Sequence, residues 1–233
     1  MIDCISVENM RQSDAWTIAN RVSGIELMGR AAEGVFRAAE WKAPVAIVVG
    51  SGNNGGDGYA LACILQAHDI ACTVFTVSTR CSADSAHYAA KAQAAGVPIR
   101  PFAPDCLAGA ATIVDCLLGT GFHGEVRADY RAAIEGINQR DAYVVSVDIN
   151  SGMNGDTGEA GLAVCSDLTV TIGFVKRGLI TPNAGRHMKR LVCADIGIVL
   201  QQTEQKICGR GEPLQPGWVF CPPWLDMDVL VIE

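Results

Sequence analysis

Two glycine-rich segments and two isolated aspartates are the residues of this chain whose types and spacing suit chemistry. The first segment reads Gly50-Ser51-Gly52-Asn53-Asn54-Gly55-Gly56-Asp57-Gly58 and follows the apolar run Val45–Val49. Five glycines in nine residues permit positive φ angles and let a ligand approach the backbone closely. A helix opening there offers its amides and dipole to a phosphate. Gly50, Gly52 and Gly55 have the G-x-G-x-x-G spacing, with the Asn pair and Asp57 as additions; alone, such a loop also fits an ordinary tight turn. The second segment, Gly119-Thr120-Gly121-Phe122-His123-Gly124-Glu125, follows the run Thr112–Leu118, whose only charge is Asp115. Asp148 stands near the end of a third run, Tyr143–Ile149, just before Asn150-Ser151-Gly152. A carboxylate at the end of a buried strand costs on the order of several kcal/mol without a partner. Asp115 and Asp148 are therefore expected to hold a cation, a ribose or a catalytic proton, with a helix N-cap as the alternative for Asp148.

The elements that must position these residues can be read from periodicity. Residues 24–40 place Met28, Ala32, Val35, Phe36 and Ala39 on one helical face, the stripe of an amphipathic helix. With a preceding helix at about 7–22, it is expected to pack on one face of the fold or at a dimer interface. Val45–Val49 is short, apolar and β-branched, the pattern of a parallel strand covered on both faces. Similar runs recur at Cys72–Val77, Thr112–Leu118, Tyr143–Ile149, Leu168–Ile172 and Leu191–Ile196. Helix-like stretches at Tyr59–Ala67, Ser82–Ala95 and Asp129–Gln139 lie between them. Strands alternating with helices imply right-handed crossovers. The fold class is α/β: a Rossmann-like three-layer α/β/α sandwich with a mostly parallel, doubly wound sheet. Both glycine-rich segments then lie at the carboxyl edge of that sheet, where nucleotides bind in such folds.

The 233 residues suit one large domain, with a proline-rich tail from about 201 read as irregular. Lys and Arg number 18 against 25 Asp and Glu, a formal charge of −7, which argues against nucleic acid and anionic membranes as partners. No run approaches the roughly 18–20 apolar residues of a membrane span, and Met1-Ile2-Asp3-Cys4 lacks the basic start of a signal peptide. A cytoplasmic location is the expectation. The ten cysteines are scattered without a CxxC pair, so they read as small core residues rather than disulfides or metal ligands.

The motifs together are more specific than any one of them. Gly50–Gly58 with its Asn-Asn-Gly-Gly-Asp core resembles the signature loop of the YjeF N-terminal family, the NAD(P)H-hydrate epimerases. The resemblance runs over about residues 8–198. It takes in Met10-Arg11…Asp14, Leu27-Met28, Asp115…Gly119-Thr120-Gly121, Val147-Asp148-Ile149-Asn150-Ser151-Gly152, Gly178-Leu179 and Ala194-Asp195-Ile196-Gly197. It implies epimerisation of the R and S forms of hydrated NADH or NADPH (NADHX, NADPHX). The S form then goes to a separate ADP- or ATP-dependent dehydratase.

The resemblance also implies residue roles. Asn53, Asn54, Gly55, Gly56 and Asp57 are similar to a loop on the substrate's phosphates and ribose, and Gly119, Thr120, Gly121, Phe122, His123, Gly124 and Glu125 to a second substrate loop. Asp148 matches the acidic residue beside the damaged nicotinamide ring and is the candidate catalytic group. Asn54, Asp115 and Ser151 resemble the ligands of a potassium ion, one per subunit, and a homodimer is implied. Amide, carboxylate and hydroxyl oxygens also suit a hard cation on physical grounds.

Two departures stand out. Asn150 replaces a usual proline, which predicts a less rigid turn into Ser151. Leu27-Met28-Gly29-Arg30-Ala31-Ala32 replaces Leu-Met-Glu-Asn-Ala-Gly, which questions helix packing near the site. His123 reads as an exposed loop histidine or an aid to proton transfer, and Lys176 and Arg177 as phosphate neutralisers or a solvated strand end. A competing class is a non-catalytic dimeric or RNA-associated scaffold of the same fold, against which the intact set Asn54, Asp115, Asp148 and Ser151 speaks. A generic Rossmann dehydrogenase or methyltransferase lacks the acidic ribose reader, since Ser78, Thr79 and Arg80 stand after Cys72–Val77.

Overall fold

In Val45–Val49, Val45, Ile47 and Val49 belong to one hydrophobic cluster and Ala46 and Val48 to another. Alternate side chains of one strand thus enter two separate cores, as a sheet covered on both faces requires. The computed structural model describes residues 2–208 and 215–231. In chain order its elements are β1 (Ile2–Ile5), α1 (Val7–Asn20), α2 (Gly24–Ala38), β2 (Val45–Val49), α3 (Asn53–Ala67), β3 (Cys72–Thr76), α4 (Ala83–Ala94), β4 (Ile99–Pro101), β5 (Thr112–Cys116), α5 (Ala128–Asn138) and β6 (Tyr143–Val147). There follow β7 (Ser166–Ile172), β8 (Val175–Lys176), β9 (Met188–Asp195), β10 (Gln205–Cys208), β11 (Trp218–Phe220) and β12 (Asp226–Val231).

The main sheet has eight strands in the order β12-β9-β7-β6-β5-β2-β3-β4, and every pairing in it is parallel. From β2 the chain builds outward through β3 to β4, then returns to lay β5 on the other side of β2. Right-handed crossovers require the helices to change face when the direction of building reverses. Residues of α3 and α4 accordingly share one cluster with those of α2, while Ala133, Ile134 and Ile137 of α5 lie in the other. The result is an α/β/α sandwich of the Rossmann-like class, with its switch point between β2 and β5. Ligands bind at such a crevice outside the carboxyl ends of the strands.

A smaller sheet, β11-β10-β1-β8, packs Cys4, Val175 and Ile207 with Leu191 and Cys193 of β9. The stretch after 201, expected to be irregular, thus contributes β10 and β11 to this sheet and β12 to the edge of the main one. Its described prolines, Pro216, Pro222 and Pro223, fall outside these strands, where no ladder amide is lost; Pro213 lies outside the described residues.

Ser6, Ser23 and Ser82 cap α1, α2 and α4 through their side chains. The stripe on α2 does not face outward: Leu27, Met28, Ala31, Ala32 and Val35 are buried in the core. Gly29 keeps that packing close, because a Cβ there would lie 2.6 Å from the Tyr88 hydroxyl, which donates to the Ile25 carbonyl at 3.0 Å. Among the described residues no cysteine forms a disulfide; burial pushes the thiols of Cys4 and Cys193 up to about 12. No described helix is long and apolar enough to cross a membrane.

Candidate active site

The glycine-rich segment after β2 is not the loop that its composition suggests. Helix α3 begins at Asn53, six residues before Tyr59, and takes in the whole Asn53–Gly58 stretch. None of its glycines has a positive φ. They are small because neighbours are close: a Cβ on Gly55 would meet the Gly50 carbonyl oxygen at 2.4 Å, and one on Gly58 a methyl of Val49 at 2.8 Å. The first turn of α3 is thereby pressed against the ends of β2 and β5. Tyr130 of α5 fastens the turn before it, its hydroxyl accepting from the Ser51 amide at 3.1 Å. Unlike α1, α2 and α4, α3 has no side-chain cap, which leaves its dipolar N-terminus available to an anion.

That N-terminus opens on a cleft of about 940 Å³ at the carboxyl edge of the sheet, large enough for a sizeable ligand. Of the residues singled out in the sequence, Asn53, Asn54, Asp57, Gly119, Thr120, Gly121, Phe122, His123, Glu125 and Asp148 line it. Gly55 and Gly56 are buried behind its wall. Gly124 faces an adjoining hollow of about 290 Å³ together with Phe122 and His123. Asp115 and Ser151 are fully buried beneath the floor. His123 is exposed on its loop.

The two strand-end aspartates have different surroundings. Asp115 accepts the Leu117 amide at 3.2 Å, the Ser146 hydroxyl at 2.9 Å, the Ser151 amide at 2.9 Å and the Ser151 hydroxyl at 2.5 Å. Burial raises its pKa, and these hydrogen bonds oppose the rise. The Ser151 hydroxyl also accepts the Leu118 amide at 2.8 Å, so the pair ties the second glycine-rich loop to the strand ends. Nearby, both polar atoms of the buried Asn54 side chain have no partner, an uncommon and costly state.

Asp148 sits at the cleft wall with its side chain 16% exposed. Its φ is +68°, a left-handed conformation that is uncommon outside glycine and clusters at functional sites. No helix follows in residues 149–165, which removes the N-cap alternative. Its Oδ1 pairs with Lys176 Nζ at 2.5 Å, and its Oδ2 accepts the Thr120 amide at 3.3 Å. Lys176 is fully buried and is neither a solvated strand end nor exposed to a phosphate. Arg177, by contrast, is 44% exposed and pairs with Asp156 and Glu204.

Asp57 and Asp14 line the cleft beside Asp148. Burial pushes Asp57 well above the ordinary carboxyl range; the Asp148 and Asp14 charges add to this and Lys176 opposes it. Burial and Asp148 also raise Asp14. The sequence offers Asp14 only as part of a motif and Lys176 only as a phosphate neutraliser or a solvated strand end, neither of them as a neighbour of Asp148. A lysine following the apolar Phe174-Val175 after a strand was the signal available for Lys176; nothing local distinguishes Asp14 from other polar positions of α1.

Asn150 does not loosen the turn into Ser151. It is fully buried, with Nδ2 within 3.0 Å of Val164 O and Ser166 Oγ and 2.8 Å of His187 O, while Oδ1 accepts the Thr169 hydroxyl at 2.7 Å. These bonds fix the turn in place of a proline ring.

Comparison with known proteins fits this geometry. Residues 24–178, which hold the α3 N-terminus, both aspartate strand ends and Lys176, match the family described as YjeF-related protein N-terminus. The chain is 35% identical over 199 residues to an NAD(P)H-hydrate epimerase of Limosilactobacillus fermentum, covering 82% of this chain and 95% of the relative. It is 38% identical over 196 residues to a bifunctional NAD(P)H-hydrate repair enzyme of Coxiella burnetii, covering 81% of this chain and 40% of that longer protein. A crystal structure of a yeast protein superposes with a TM-score of 0.63 at 20% identity, over 76% of this chain and 83% of the other, a likeness of fold. With its motifs gathered around one switch-point cleft and residues 24–178 matched by the family model, the chain belongs to the YjeF-related protein N-terminus family.

Proposed function

We propose that the protein is an NAD(P)H-hydrate epimerase that interconverts the R and S forms of hydrated NADH or NADPH. The observation that carries the chemistry is Asp148, a carboxylate in a left-handed backbone conformation at the wall of the switch-point cleft. The substrate carries a hydroxyl on the carbon beside the ring nitrogen. In its protonated form Asp148 donates a proton from Oδ2 to that hydroxyl as its C–O bond breaks, the electron pair leaving with water and the ring becoming a planar iminium ion. The carboxylate so formed faces the cation and stabilises it. Water then adds to either face while Asp148 takes its proton, which restores the acid and yields both epimers without an external reductant. The uncapped start of α3 receives the pyrophosphate.

Asn54, Asp115 and Ser151 fit a potassium ion. Asn54 has an orphaned buried amide oxygen, and the carboxylate of Asp115 is buried among hydrogen-bond donors. Held there, such an ion would neutralise the buried charge of Asp115 and order the two loops. Asp115→Asn is expected to weaken nucleotide binding and to blunt its response to potassium, checked by nucleotide titrations in potassium and in lithium salts.

The functional partner is a dehydratase that consumes the S epimer, separate from or fused to relatives of this chain. The homodimer rests on the family resemblance, since the apolar face of α2 is internal; light scattering at micromolar concentration decides it. The activity itself is tested by chiral chromatography of R-hydrated NADH with and without the protein. Faster appearance of the S form supports the proposal, and an unchanged rate overturns it.

A further inference from the structure

Among the described residues Lys176 is the largest fully buried side chain, and it carries a charge. Its ammonium has three N–H donors, and three acceptors surround it: Asp148 Oδ1 at 2.5 Å, Thr171 Oγ1 at 2.9 Å and Ile172 O at 2.8 Å. Every donor is used inside the protein, so nothing remains for a substrate phosphate. The chain is shaped to make this arrangement. Gly173, at φ +74°, turns the chain at the end of β7. The two residues of β8 then return alongside β1, with Lys176 beside Ile5. The lysine thereby reaches back to the last residues of the strand it has just left.

A buried ion pair is weak evidence of stability, because removing two ions from water offsets most of their attraction. This one is placed where position matters. It grips one oxygen of a carboxylate whose backbone is left-handed and whose other oxygen lies under the Gly119–Thr120 turn of the cleft. A Cβ built on Gly119 would be 3.3 Å from Asp148 Oδ2. The other charged or titratable groups around the pair are Asp14 on α1, Asp57 on α3 and, behind the lysine, the thiol of Cys193 on β9. Asp14 and Asp57 both carry like charge relative to Asp148 when ionised. Without the ammonium, nothing of opposite sign among these groups would hold Asp148 toward the sheet.

We infer that Lys176 is a positioning residue for the epimerisation, acting through Asp148: it fixes Oδ1 so that Oδ2 alone exchanges protons at the reacting carbon. Asp148 remains the catalytic residue, and Lys176 never touches substrate. The inference rests on the proposed proton-exchange role of Asp148, and its test is a double-mutant cycle with a separate readout for each. Misplacement of a reacting group by about 1 Å can cost about 10²-fold in rate. Lys176→Met is expected to lower kcat by about ten- to a hundredfold with KM nearly unchanged. In an Asp148→Asn background the same replacement is expected to change kcat by less than about twofold, because two residues acting as one unit are not additive.

Equal losses in both backgrounds, an unchanged kcat in Lys176→Met, or a rise in KM alone would overturn the inference. Failure of the underlying reading looks different: Asp148→Asn by itself then turns over normally. Where Lys176→Met does not fold, Thr171→Val provides the milder probe. It removes one of the three acceptors and keeps the ion pair. A several-fold fall in kcat that vanishes in Asp148→Asn supports the inference, and an unaltered kcat contradicts it.

Discussion

Asp148 and Asp57 face one cleft in opposite electrostatic settings, and the difference predicts opposite behaviour on mutation. Asp148 is hydrogen-bonded to an ammonium and an amide. Asp148→Asn keeps its shape and removes the exchangeable proton, so nucleotide binding should persist while epimerisation falls by about two orders of magnitude or more. Steady-state rates beside a nucleotide titration check this. Asp57 has a folded-state pKa well above its ordinary value. A carboxyl raised in this way favours folding below its unfolded pKa, and that contribution is lost as pH rises through the folded value. At neutral pH Asp57 therefore opposes folding. Asp57→Asn is expected to raise Tm at pH 7–8 by a few degrees, given roughly 2–4 °C per kcal/mol for a chain of this size. The gain should disappear below about pH 4, as thermal unfolding across pH would show. Asp148 was legible in the sequence because it interrupts an apolar run, and Asp57 because it belongs to the glycine-rich segment Gly50–Gly58. The partner of Asp148 was not: Lys176 lies 28 residues away, and only the return of β8 along β1 brings the two together.

At the scale of elements, the strands of the main sheet were legible where β-branched runs are bounded by glycine, and Val45–Val49 is found with its expected ends. The start of α3 was not legible. Glycine disfavours helix by about 1 kcal/mol relative to alanine, so three glycines in six residues read as loop. Tertiary contact overrides that preference: the helix can approach the strand ends only without Cβ atoms at Gly55 and Gly58, which face Gly50, Val49 and Cys116. The positions differ in how rigid their neighbours are. A Cβ on Gly50 would meet the Leu117 carbonyl oxygen at 1.9 Å, a backbone atom. One on Gly56 would meet the terminal atoms of Met28 at 2.5 Å, which can swing away, and the backbone only at Ser85 Cα, a looser 3.1 Å. Gly50→Ala should therefore cost at least the roughly 1–3 kcal/mol of an overpacked core, and Gly56→Ala distinctly less. Urea unfolding midpoints of the two variants test the order. Short strands such as β4, β8 and β11 were not legible, because two or three residues show no periodicity and pairing alone defines them.

For the molecule as a whole, the cleft depends on residues far from it. Glu204 accepts the Ser6 amide and hydroxyl at 2.9 and 2.6 Å and the Asn9 amide group at 3.0 Å. Burial raises its pKa, yet these bonds and the Arg177 charge hold it below the ordinary value. They anchor the start of α1, which brings Met10, Arg11 and Asp14 to the cleft. Hydrogen bonds to a charged group contribute roughly 1.5–3 kcal/mol each. Glu204→Ala is expected to lower Tm by several degrees and to weaken nucleotide binding, measured on the same protein. Composition marked residues beyond 201 as irregular, since prolines dominate the eye there and one pairing partner of β10, strand β1, stands at Ile2–Ile5 at the other end of the sequence.

That pairing has a consequence for the order in which the protein is made. Strand β1, at residues 2–5, lies between β8 and β10, and its antiparallel partner is residues 205–207. During synthesis β2, β3 and β4 leave the ribosome in succession and can pair with neighbours already present. Strand β1 must wait for Val175–Lys176 on one side and for residues 205–207 on the other. Until then α1 lacks its anchor at Glu204, and the cleft lacks the wall that α1 supplies. A nascent chain can thus possess a formed nucleotide-binding edge well before it possesses a closed site, and competence for the substrate arrives late, with the tail.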